Sequence, residues 1–171
     1  MSAPATLVTV AFLLIVLVAA AVVAVARGWR WLPWLAFATT LPQLIRFIWG
    51  TDVSTLVGSA AILAWWAVFA GAALGESWRR PLALRTDASA LLLALADAAA
   101  LVLLFVACDT LDDLGIACLV LGAAHVAIAL PFLQLRDVGD EHGQLLVGIA
   151  APWFALGILL SDVALVFVDP R

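Results

Sequence analysis

Long apolar runs separated by short polar stretches recur from one end of this 171-residue chain to the other. A helix crossing a bilayer needs about 20 predominantly apolar residues. Six segments meet that length: roughly 5–27, 31–50, 53–75, 88–108, 114–135 and 144–168. The runs are too long and too evenly apolar for transmembrane strands, which alternate over about 10 residues. The pattern therefore predicts an all-α fold, a polytopic membrane helix bundle of six transmembrane helices forming a single membrane domain over 1–171. Every connection is short, so no soluble domain or linker is expected. The first segment resembles a signal peptide only in position. Met1–Thr6 carries no positive charge, and the apolar core that follows exceeds the 7–15 residues of a signal h-region, so it reads as a retained span.

Composition strengthens this picture. Hydrophobic residues make up 67% of the chain and charged residues 12%, far from the soluble average. All eight basic residues are arginine, which excludes a retinal Schiff-base protein, since that chemistry needs a lysine. No basic patch interleaved with aromatics exists, so nucleic acid is not an expected partner.

The arginines also predict orientation. Arg27, Arg30, Arg79, Arg80, Arg85 and Arg136 fall on one side of the six spans, and only Arg46 and Arg171 on the other. Arginine-rich loops stay in the cytoplasm. The expected location is the cell membrane, with both termini outside.

The stretch that organises the chain runs from Thr39 to Gly75. Pro42-Gln43 interrupts one apolar run, a polar turn holds Thr51, Ser54 and Thr55, and the next run carries Trp65-Trp66 near its centre. A proline within a spanning helix bends it and frees a backbone carbonyl, which neighbours or a cavity must satisfy. The offset that carries Pro42 onto Pro131 also pairs Leu41 with Leu130, Leu44 with Leu133, Gly50 with Gly139 and Leu56 with Leu145. Trp65 then falls on Phe154, beside Trp153. Two three-helix repeats, 1–86 and 87–168, are one reading, the second copy inverted in the membrane as in many transporters. Two unrelated hairpins that share a proline are the other.

Ionisable residues within a span are functional candidates by default, because a charge there costs a few kcal/mol or more. Asp97 stands about ten residues into its segment. It reads either as a hydroxyl acceptor or proton-coupling site, or as a protonated Asp bonded to a neighbouring helix. His125 lies at similar depth and could exchange protons with it, imidazole titrating near neutral pH. A neutral His bonded across the bundle is the alternative. Asp162 lies nearer a helix end and is a weaker candidate, Glu76 reads as solvated, and Arg46 as a snorkelling side chain. Adjacent Trp65 and Trp66 point about 100° apart on a helix, so at most one faces a cavity, the other packing against lipid or a neighbour. Thr39, Thr40, Gln43 and Gln134 add hydrogen-bonding groups. Gly71-Ala-Ala-Leu-Gly75, Gly58, Gly122, Gly148 and Gly157 read as sites of close helix approach. Cys108 and Cys118 flank an acidic turn, Asp109, Asp112 and Asp113, and read as two buried thiols or a disulfide. No metal cluster, nucleophile motif, phosphate loop or cofactor fingerprint is present, so an enzyme is not expected.

The stretch LPQLIRFIWGTDVSTLVGSAAILAWWAVFAGAALG resembles the PQ-loop family, which includes the SWEET and SemiSWEET sugar transporters. The features that carry the resemblance are Pro42-Gln43 near a helix end, the turn that follows and the helix with paired tryptophans. The likeness covers about 40 residues, and Pro131-Phe132-Leu133-Gln134 keeps the proline with the glutamine displaced. It implies a secondary carrier of a small polar solute, sugars among them, bound at the membrane midplane between two kinked halves. Pro42 and Pro131 would be hinges, and Gln43, Trp65, Trp66, Asp97, His125 and Trp153 the substrate-binding residues. Six helices barely enclose a pathway, which makes a homodimer plausible. The alternative is a non-transporting membrane subunit that stabilises or regulates a partner protein. A lipid-active enzyme using Asp97 and His125 as acid and base is a third reading.

Overall fold

A computed structural model describes residues 3–50, 53–79, 88–135 and 141–168. Six helices are present among them: α1 (Ala3–Arg27), α2 (Trp31–Gly50), α3 (Thr55–Arg79), α4 (Ala88–Ala107), α5 (Leu111–Leu135) and α6 (Glu141–Val168). Five contain a stretch long and apolar enough to cross a membrane: Val10–Arg27, Thr55–Gly75, Ala88–Ala107, Leu111–Pro131 and Gln144–Ser161. This is the character of a multi-pass membrane protein, and five of the six expected spans have a described stretch of that length and apolarity. Helix α2 forms as expected but has no such stretch, because Gln43, Arg46 and two prolines dilute its 20 residues. Thr51, Asp52, Arg80, Arg85, Arg136 and Arg171 lie outside the described residues, as do the side chains of Glu76, Arg79 and Asp162. The expected orientation rests largely on these arginines.

The chain divides into two compact units, Met1–Leu103 and Leu104–Arg171. In the first, α3 is the central element. Half of Thr55–Gly75 is buried, against about a tenth of Val10–Arg27 in α1. Ile62, Trp66, Phe69 and Ala70 from α3 form its core with Leu92 and Ala96 from α4. The outer face of α1 presents Val8, Phe12, Ile15 and Val22, each more than 60% exposed. An apolar patch of that extent suits hydrocarbon rather than water.

Local chemistry sets the helix ends. Gly28 has φ +69°, the left-handed region that costs a residue with a Cβ about 1–2 kcal/mol. The Trp29 N–H turns back to the Ala24 carbonyl at 3.0 Å, the six-to-one bond of a Schellman cap. The chain then starts α2 within three residues, and the Trp29 and Trp31 rings stack at 6.0 Å, both exposed. The Gly58 N–H bonds Ser54 O at 3.0 Å, which puts Ser54 at the cap position of α3, a residue type favoured there.

Helix α5 begins at Leu111 rather than at the expected residue 114. The acidic turn is partly helix, for a physical reason. The Asp113 N–H donates to Thr110 Oγ1 at 3.1 Å, and the Thr110 hydroxyl donates to Asp113 Oδ2 at 2.7 Å. This is a reciprocal cap, and it sets Asp112 and Asp113 in the first turn, where the helix dipole favours negative charge.

In the second unit, α5 and α6 pack closely along their length, and glycines make this packing tight. A Cβ on Gly115 would lie 3.0 Å from the Gly157 carbonyl oxygen, and one on Gly157 would lie 2.9 Å from the Gly115 carbonyl oxygen. The two backbones therefore approach closely, with Ser161 and Leu119 side chains packed against the same two glycines. Gly122 meets the Phe154 ring one step along, where a Cβ would stand 3.2 Å from it. Of the glycines expected at close approaches, Gly122 and Gly157 serve that role, as does Gly75, whose Cβ would meet Val25 of α1 at 3.1 Å. Gly71 and Gly148 face open space, so the Gly71–Gly75 pair is split between a contact and a groove.

Gly157→Ala should destabilise the protein by about 1–3 kcal/mol, since the new Cβ would meet the Leu119 side chain at 2.7 Å and, behind it, the Gly115 carbonyl oxygen, which cannot swing aside. Gly148→Ala should be neutral or stabilising by up to about 1 kcal/mol, as alanine is the better helix former. Thermal unfolding in detergent micelles tests the pair; equal loss at both positions would contradict the backbone contact.

Candidate functional site

The candidate residues fall into three clusters, two in the first unit and one in the second. Asp97 is the tenth residue of the 20-residue helix α4, so it sits at mid-helix. It is 9% exposed, with buried Leu93, Ala96 and Ala100 along the same helix. Trp66 of α3, 2% exposed, reaches it: the indole Nε1–H donates to Asp97 Oδ1 at 2.6 Å. Indole N–H is a donor only, so the carboxyl oxygen accepts. The bond carries Asp97 into an apolar interior, where an unsatisfied acceptor would cost about 1–3 kcal/mol. Chemically the pair is a proton-accepting group held by an exchangeable donor.

The second cluster joins α2 to α3. The Trp65 Nε1–H donates to Thr40 Oγ1 at 3.0 Å, and the Thr40 hydroxyl donates onward to the Ala36 carbonyl at 2.7 Å. Thr39 bonds back to Leu35 O at 2.9 Å and Ala36 O at 3.1 Å. Both threonines thus load extra bonds onto the α2 backbone just before Pro42, and such back-bonding bends helices. Trp65 also packs into a three-ring cluster. Its centroid lies 5.2 Å from Phe37 and 4.9 Å from Phe69, while Phe37 and Phe69 meet edge-on at 5.3 Å and 81°. The two tryptophans therefore diverge as their helical spacing requires, one toward α2 and one toward α4. Both are buried at 2% exposure, so neither faces lipid.

In the second unit, fully buried His125 of α5 stacks on Trp153 of α6, centroids 6.5 Å apart and planes at 23°. Its Nδ1 lies 2.8 Å from the Leu121 carbonyl oxygen one turn back, so Nδ1 carries a proton and donates. This hydrogen bond stays within α5, whereas the sequence suggested one across the bundle. The other ring nitrogen, Nε2, is buried with no hydrogen-bond partner among the described residues.

Gln43, Pro42 and Pro131 are exposed, as is Gln134, and both prolines lie within continuous helices. Gln43 lies one turn along from Thr40 and is exposed, whereas Trp65, Trp66 and Asp97 are buried. Arg46 is exposed, as expected of a snorkelling side chain. Cys108 and Cys118 form no disulfide, the first half-buried and the second buried. The phenylalanines of the ring cluster were missed by sequence reasoning. Trp65 and Phe69, four apart, share a helix face, which was the available signal.

Two cavities border α1 and α3, both apolar. One is an open groove of about 600 Å³, lined among others by Val18, Val22, Val25, Gly71 and Gly75. The other is a small pocket where Pro33 and Ala36 of α2 meet Leu17 and Phe69. Neither is lined by Gln43, Trp65, Trp66 or Asp97.

The fold defines a class, a helical multi-pass membrane protein with a buried carboxyl–indole pair. Comparison with protein-family models, curated proteins and solved structures returns no match.

Trp66→Phe removes the donor and three ring atoms from a buried site, so it should cost about 1–3 kcal/mol through the lost hydrogen bond and the space left behind. Asp97→Asn keeps an acceptor oxygen and should cost less. A double-mutant cycle on thermal stability should give clear coupling between positions 66 and 97; additive effects would show that the bond contributes nothing.

Proposed function

We propose that this chain is a small secondary carrier of the PQ-loop type, moving a small polar solute, sugars being the favoured class, across the cell membrane. The observation that supports this reading best is Asp97, held at mid-helix in an apolar interior by the Trp66 N–H. An intramembrane ionisable group with a named partner marks a solute or proton pathway more often than a structural bond. On this reading a solute hydroxyl or a proton displaces the indole N–H from Asp97, and loss of either lets the indole return. In the first unit Trp65, Trp66 and Gln43 offer aromatic faces and a polar group to the solute, in the second His125 and Trp153 do the same, and Pro42 and Pro131 act as hinges within their own units. Alternating access comes from rocking of the two repeat halves. Both termini face outward, and a homodimer is the working assembly.

A second reading is a non-transporting membrane subunit that steadies a partner protein. The apolar groove beside α1 and the packed surroundings of both tryptophans favour it.

Uptake of labelled sugars and amino acids into proteoliposomes, with and without an imposed pH gradient, separates the two. The carrier reading expects saturable uptake in the wild type and loss of its pH dependence in Asp97→Asn. Unchanged pH dependence in Asp97→Asn removes the coupling role. No uptake of any solute by folded protein favours the subunit.

A further inference from the structure

We propose that Thr40 is a positioning residue for the Asp97 carboxyl: its bond to Trp65 fixes α3, and through α3 it keeps Trp66 on Asp97. All four residues lie in the first unit. The two tryptophans are neighbours on one helix, about 100° apart. Trp65 is tied to α2 through Thr40 Oγ1 at 3.0 Å, and Trp66 to α4 through Asp97 Oδ1 at 2.6 Å. Both bonds therefore hang on the same piece of backbone. Neither indole has room to swing alone, since both are buried and close-packed interiors leave no space for a large ring to turn. Trp65 is further gripped by Phe37 at 5.2 Å and Phe69 at 4.9 Å. Lifting Trp66 from Asp97 thus moves α3, and a moving α3 strains the bond of Trp65 to Thr40.

Access to the carboxyl needs that movement. Asp97 is buried, and neither cavity beside α1 and α3 is lined by it. A solute or a reagent takes Oδ1 once the Trp66 N–H has left it.

The Thr40 hydroxyl is set for this role. Its proton goes to the Ala36 carbonyl at 2.7 Å, which leaves the oxygen lone pairs to accept from the indole. Thr39 stands beside it and differs in kind: it is exposed, and its hydroxyl bonds Leu35 O and Ala36 O within α2. The inference concerns access to Asp97 and does not depend on the carrier reading.

Dicyclohexylcarbodiimide tests it on the full chain in detergent. This apolar reagent adds a carboxylic acid across its C=N bond, and the adduct rearranges to a stable N-acylurea. Peptide mass spectrometry reads the rate of modification at Asp97, with exposed Asp109 and Asp112 as internal references. Labelling follows the population of the open form, and one interhelical hydrogen bond in a membrane protein changes such a population about threefold. Thr40→Val should therefore raise the Asp97 rate about threefold over the references. Thr40→Ser keeps the hydroxyl and should stay at the wild-type rate. Thr39→Val alters the same stretch of α2 without touching Trp65 and should stay there too. Trp65→Phe removes the donor and should raise the rate as Thr40→Val does. The two together should give no further rise, because both remove one bond. A rate unchanged in Thr40→Val or in Trp65→Phe would overturn the proposal. So would an equal rise in Thr39→Val, which assigns the effect to α2 at large, or a full second rise in the double variant. Labelling is read without uptake, so failure of the carrier reading leaves this test standing.

Discussion

In a bilayer core no water is at hand to complete a hydrogen bond, so each polar atom must find its partner in protein. Much of the interior follows from that constraint. The carboxyl of Asp97 takes the Trp66 indole, the Trp65 indole takes Thr40, and Thr40 passes its own proton to Ala36. His125 satisfies only Nδ1, through the carbonyl of Leu121 on its own helix, and its buried Nε2 is the exception to the rule among the described residues. Tryptophan recurs because it offers one donor at the end of a large apolar ring, so it spans two helices and fills the space between them. Through these bonds α2 and α4 are tied to α3, which makes α3 the helix on which the first unit is hung.

The two units use different chemistry for the same task. In the first, helices are joined by long aromatic side chains and by hydrogen bonds at mid-helix. In the second, α5 and α6 approach until backbone meets backbone at Gly115 and Gly157. Interhelical hydrogen bonds in membranes are worth about 0.6 kcal/mol on average, so the glycine contact holds the second unit by close packing over its length. The polar residues of the first unit then carry more specificity than stability: they fix which faces of α2, α3 and α4 meet.

Helix existence was legible in the chain, because apolar runs of spanning length leave few alternatives. The boundary of α5 was not, since the acidic turn 109–113 reads as solvated loop until Thr110 and Asp113 are seen to cap each other. Among the candidate residues, Asp97 could be singled out by its depth alone, but its partner could not. Either adjacent tryptophan could have reached it, and only the rotation of α3 in its packing decides for Trp66. Gly71 and Gly75 look alike in sequence, and Gly115 was overlooked beside the acidic turn. Which glycine faces a neighbour depends on helix crossing, a property that spacing along one chain does not encode. The likeness to a PQ-loop around Pro42-Gln43 offered function without geometry, and Gln43 is exposed rather than gathered with the buried groups.

Side-chain contacts between helices yield by changing rotamer; the contact of Gly115 with Gly157 has no rotamers to change. Two carbonyl-bearing backbones at this separation are held as one piece, and small slides of one past the other would drive Leu119 and Phe154 into the crossing. The α5–α6 hairpin therefore behaves mechanically as a single stiff rod of double width.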